Sequence, residues 1–141
     1  MKNLAIGFKN LALAKASEET LRRALRRVFE AMTQEPYLVA GRNRFCYDFM
    51  RSLPGRGVTK LGAESIQGLG LVDPPIGISV KVTDGAIRAL GPICLRVLKD
   101  LGIVTNLERL PYLQPYESPV VRNARGIETG RMVVDFVLRK A

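Results

Sequence analysis

Between residues 53 and 78 the chain carries six glycines and three prolines, including the adjacent pair Pro74-Pro75. Glycine loses the most conformational freedom on ordering and proline lacks a backbone donor, so neither suits the interior of a helix or a paired strand. This punctuation predicts a loop-rich connector, broken by a short helix near residues 63–67. Within it, Pro54-Gly55-Arg56-Gly57-Val58-Thr59-Lys60-Leu61-Gly62 lacks the GxxxxGK[ST] order that seats a lysine under phosphates, and reads as a flexible turn. The connector divides a helical part, residues 1–52, from a second part, residues 80–141. Each would be marginal alone, so residues 1–141 are expected to form a single composite domain around the Gly/Pro-rich residues 53–79.

Helical periodicity is strong before the connector. Residues 1–16 contain no acid and place Leu4, Phe8 and Leu11 at helical spacing beside Lys2, Lys9 and Lys15. From Ser17, a good N-cap followed by Glu18 and Glu19, the residues Leu21, Leu25, Val28, Phe29 and Met32 predict a helix over residues 17–34. Its other side bears Arg22, Arg23, Arg26 and Arg27. That stripe could lie along a phosphate backbone, or could be a solvated face paired with Glu18, Glu19 and Glu30. After Pro36, Phe45, Cys46, Tyr47, Phe49 and Met50 interleave with Arg42, Arg44 and Arg51. Arginines among aromatics can stack bases, but Phe45 and Phe49 stand one helical step apart and are expected to pack as core against the first long helix.

The chain contains no histidine, and Cys46 and Cys94 lie far apart without CxxC spacing. A zinc site, an imidazole-dependent nucleophile and a phosphate cradle are therefore not expected, and neither is a cofactor; the chain reads as non-enzymatic. Flanked by apolar neighbours, the two cysteines read as buried thiols in a reducing compartment. No apolar run approaches the roughly 18–20 residues that span a bilayer. The expectation is an intracellular protein, cytoplasmic or nucleoid-associated, without a membrane partner.

Charge then points to a partner. Lys and Arg number 22 against 13 Asp and Glu, a formal net charge of +9. Such a surface attracts polyanions, nucleic acid foremost. An acidic protein partner, an anionic membrane surface or a basic face kept for solubility are the alternatives.

In the second part, Thr83-Asp84-Gly85-Ala86-Ile87-Arg88-Ala89-Leu90-Gly91 followed by Arg96-Val97-Leu98-Lys99-Asp100-Leu101-Gly102-Ile103-Val104 resembles the helix-turn-helix and first strand of the winged-helix DNA-binding superfamily. The resemblance implies that Arg96 and Lys99 approach a DNA groove. The same residues also fit an ordinary helical hairpin that ends at Gly102. Residues 120–131 supply a wing-like turn with Arg122 and Arg125 as phosphate contacts, and Met132, Val134, Phe136 and Leu138 alternate as one face of a strand running to Lys140.

The expected architecture is α+β, winged-helix-like: basic N-terminal helices, a helix-turn-helix-like hairpin and a small C-terminal antiparallel sheet. The expected function is duplex DNA binding in transcription regulation, through Arg22, Arg23, Arg26, Arg27, Arg96, Lys99, Arg122 and Arg125. The alternative is a basic structural subunit of a ribonucleoprotein or virus particle that contacts RNA or acidic proteins. A homodimer or other protein partners are compatible with either.

Overall fold

Helix α1 (Lys2–Leu13) lies across an antiparallel sheet of β1 (Gly57–Gly62), β2 (Ile66–Leu71) and β3 (Gly77–Lys81), in the order β1-β2-β3. This is a computed structural model that describes residues 1–139. The three strands occupy the stretch that the sequence marks as a connector, so that expectation is corrected. The glycines have another cause. Pairing of Val58 with Gly70, Lys60 with Gly68 and Gly70 with Gly77 puts Gly68, Gly70 and Gly77 on one face of the sheet. A β-carbon there has no room: at Gly68 it would strike the Phe8 ring, at Gly70 the Phe8 carbonyl, and at Gly77 the Ala5 carbonyl. These residues are bare so that a helix backbone can lie directly on the strands. The residues expected to form a short helix make instead the turn between β1 and β2, where Glu64 and Ser65 take φ of 53° and 54°. The Ser65 hydroxyl anchors that turn by donating to the Gly85 carbonyl at 2.7 Å.

Helix α2 (Glu19–Gln34) forms as its periodicity predicts, with Glu18 rather than Ser17 at the N-cap. It packs on α1 and β1, yet none of its residues is buried, and Leu21 and Val28 remain 48% and 47% exposed. A short helix α3 (Pro36–Ala40) leads to α4 (Phe45–Ser52). Helix α4 covers the sheet face opposite α1: a β-carbon at Gly57 would meet the Phe49 ring, not Phe8. Its aromatics do enter the core, with Phe49 fully buried, although they pack on β1 and Tyr116 where the sequence pointed to the first long helix.

The expected helix-turn-helix is absent among the described residues. One 3₁₀ turn at Ile87–Ala89 runs straight into α5 (Leu90–Asp100). Pro92 sits in the first turn of α5, where a helix N–H has no intrahelical partner to lose, so the Gly91-Pro92 pair starts a helix without separating two. Leu90, Cys94, Leu95 and Leu98 of α5 are buried. Gly102, at φ 71°, ends the helix as its position predicts. Both cysteines are free and buried.

Beyond residue 105 the chain makes two further 3₁₀ turns and a hairpin of β4 (Val120–Arg122) and β5 (Glu128–Arg131). The strand expected to continue to Lys140 does not pair; Lys140 itself lies outside the described residues. The Met132 N–H donates to the Pro119 carbonyl at 2.8 Å, and the chain then runs extended along α5. Met132, Val134 and Phe136 are half-buried, while Val133 and Val137 are 77% and 79% exposed, so the alternation survives without a partner strand as far as Phe136 and ends at Leu138, which is exposed. The fold is α+β, with helices on both faces of a three-stranded antiparallel sheet and a separate two-stranded hairpin.

Substitution separates the two kinds of glycine. Gly70→Ala places a methyl group on backbone and is expected to cost about 2–3 kcal/mol in urea unfolding. Gly7→Ala, in the interior of α1 with nothing within 4 Å, is expected to stabilise by about 0.5–1 kcal/mol. A neutral Gly70→Ala would show that α1 does not rest on the sheet.

Candidate active site

The first turns of α4 and α5 open onto one cleft of about 570 Å³. Neither helix has a side-chain cap, and the free N–H groups of the first turn of α4 give that end partial positive charge; in α5 the Leu90 N–H is taken by the Ile87 carbonyl and Pro92 has none. Arg44 enters the cleft at the N-cap of α4, Lys60 and Leu61 from β1, Gln67 from β2, Arg88 just before α5, and Tyr116 from the segment crossing over both helices. The charged residues that line it are Arg44, Lys60 and Arg88, and no acidic residue joins them among those described.

A buried polar cluster forms the floor. The Cys46 sulfur accepts from the Leu61 N–H and from Gln67 Nε2, each at 3.2 Å. The Thr59 hydroxyl spends its one proton on the Gly68 carbonyl, 2.8 Å away, so toward Gln67 it can only accept. This fixes the Gln67 amide with Nε2 toward Thr59 and Cys46. Gln67 Oε1 is left without a partner, at a cost of about 1–3 kcal/mol for a buried acceptor.

Tyr116 closes the wall. Its hydroxyl donates to Asp48 Oδ2 at 2.6 Å, and its ring meets Phe45 edge-on at 5.2 Å. The ring also lies where a side chain at Gly91 would stand, so glycine in the first turn of α5 makes room for it. Burial raises the Asp48 carboxyl above its ordinary range, and the hydrogen bond from Tyr116 opposes this. The Tyr116 phenol is pushed up by its own burial and by Asp48, while the Arg44 charge pulls it down. Of the three cations, Lys60 donates to the Leu61 carbonyl at 2.9 Å and Arg88 pairs with Asp84 at 2.7 Å.

None of the eight arginines and lysines singled out from sequence lines this cleft. Arg22 chelates Glu19 on the outer face of α2, and Arg22, Arg23, Arg26 and Arg27 border a shallow groove there. Arg96 binds Asp100 at 2.8 Å, donates to the Val134 carbonyl at 3.2 Å and lies over the Phe136 ring, clamping the C-terminal segment to α5. Lys99 pairs with Glu117. Arg122 donates to the Gly126 carbonyl inside the hairpin, and Arg125 lies exposed in its turn. The cleft residues went unnoticed for separate reasons. Lys60 lay in a string read as a turn, and Gln67 at the end of a supposed helix. Alternating glycines at 68 and 70 were the signal that could have revealed a strand there.

A family model described as L-asparaginase II matches residues 1–134. The chain belongs to the L-asparaginase II family. No curated protein matches it. Membership corrects several expectations together. The chain is not of the winged-helix superfamily, and its 83–104 stretch resembled that motif because an amphipathic helix ending at glycine has the same pattern. A family of enzymes named for a small amide overturns the non-enzymatic reading, duplex DNA as partner, transcription regulation, and the structural-subunit alternative. Net charge misled because it reports on the whole surface, whereas a small-molecule site involves a few residues. Among the described residues no helix is long and apolar enough to cross a membrane.

In this family member the Asp48 shift has a pH consequence. A carboxyl raised above its ordinary value of 3.8 contributes stability that is present below that value and is lost as pH rises through the folded value. Asp48→Asn stays neutral and keeps an acceptor for Tyr116. Its melting temperature relative to the unsubstituted chain should therefore climb as pH rises from about 3 into the weakly acidic range. The opposite slope in a pH series of thermal melts would mean that the Tyr116 bond outweighs burial.

Proposed function

We propose that this chain takes part in hydrolysis of the side-chain amide of L-asparagine, and that the cleft between the α4 and α5 N-termini is where the amino acid sits. The observation that carries this reading is the family match over residues 1–134. The cleft supports it, since about 570 Å³ is the size of a small-ligand pocket and its walls combine apolar surface with few polar groups.

Amide hydrolysis adds water to the carbonyl carbon, builds negative charge on its oxygen, and then expels ammonia as the C–N bond breaks. The Lys60 ammonium, exposed at the cleft and braced by the Leu61 carbonyl, supplies positive charge for that oxygen. The uncapped first turn of α4 adds N–H dipoles of the same sign.

Ammonia release from L-asparagine by the purified chain tests the reading, with Lys60→Met as the variant. The expected result is measurable release that falls about 100-fold in kcat/KM on substitution, with circular dichroism unchanged. Absence of release, or full activity in Lys60→Met, would overturn it.

A further inference from the structure

Three cations line the cleft, but they are not equivalent. Lys60 donates a hydrogen bond to a backbone carbonyl, and the Arg88 guanidinium is held by Asp84. Arg44 has no acidic partner among the described residues, and its side chain makes no hydrogen bond there. It stands exposed at the N-cap of α4, its backbone extended at φ −124° and ψ 137°, next to the free N–H groups of the first turn. Its neighbours in the wall, Phe45 and Tyr116, are locked by their edge-on contact and by the Asp48 hydrogen bond, so the guanidinium projects from a rigid base.

We infer that Arg44 is the specificity-determining residue of this cleft, taking a carboxylate of the ligand, and that the cleft binds four-carbon dicarboxylates more tightly than the corresponding monoamides. This names the ligand class of the site treated above and rests on that reading for its choice of ligands. A guanidinium presents parallel N–H donors that match both oxygens of a carboxylate, which an ammonium cannot do. A second carboxylate finds Lys60 across the cleft and meets no acidic lining residue among those described. Hydrolysis of an amide converts a monocarboxylate into a dicarboxylate, so the product would dissociate more slowly than the substrate does, and Arg44 would set both affinities.

Titration of the full chain with succinate, succinamate and neutral succinamide, followed by calorimetry, tests this. Succinate should bind tightest and succinamide weakest, and Arg44→Gln should weaken succinate and succinamate about tenfold while leaving succinamide unchanged. Arg44→Lys should recover part of the loss for succinate. Thermal melts of both variants should match that of the unsubstituted chain, since Arg44 bears no buried contact. Succinate binding that is absent, or indifferent to Arg44→Gln, would overturn the inference; so would an equal loss for succinamide, which would mean a change of shape alone. Arg44-dependent succinate binding without ammonia release from L-asparagine would uphold it and remove the amidohydrolase reading. Ammonia release with Arg44-independent binding would do the reverse.

Discussion

The backbone of α1 rests on three glycines, and much of the arrangement follows from that contact. With Gly68, Gly70 and Gly77 bare, the helix approaches the strands to the point where the Phe8 and Ala5 carbonyls fill the places of side chains. One face of the sheet is thereby closed by a single thin layer. The other face keeps its side chains, Leu69, Leu71 and Val80, all buried, and needs a thicker cover. Helices α4 and α5 supply it with Phe49, Met50, Leu95 and Leu98. Because they cover the same side, their first turns can meet at one end and form the cleft.

Electrostatics in that cleft derive from backbone as well as from side chains. Two helices begin there without capping side chains, and Arg44, Lys60 and Arg88 gather around them. Elsewhere the positive charge is partly spent on structure: Arg96 clamps the extended C-terminal segment, Lys99 holds Glu117, and Arg51 lies over the rings of Tyr47 and Tyr112. The cations that matter for a small anion are those whose partners are few, and a net charge cannot identify them.

Asp48 and Tyr116 join segments 68 residues apart in the chain. A carboxylate in the first turn of a buried helix would be costly without a donor, and Tyr116 brings one from the irregular segment that crosses the helix N-termini. The same ring occupies the space over Gly91. Burial, a hydrogen bond and a missing β-carbon therefore hold one wall of the cleft in place, and none of the three is local in sequence.

By itself the sequence determined part of the helical structure: the amphipathic spacing of α1 and α2, the glycine stop of α5, the aromatic core positions of α4 and the burial of both thiols all depend on neighbours within a few turns. It also carried the α+β class. The sheet was decided by tertiary structure, because a glycine that weakens an isolated strand becomes favourable only when a distant helix needs its missing side chain. Alternation at Met132, Val134 and Phe136 shows the converse. Strand-like residues remain unpaired when no partner edge lies beside them. The cleft belongs to the same class of fact: Arg44, Lys60, Gln67, Arg88 and Tyr116 come from five separate segments, and only the packing of helices on strands brings them to one place.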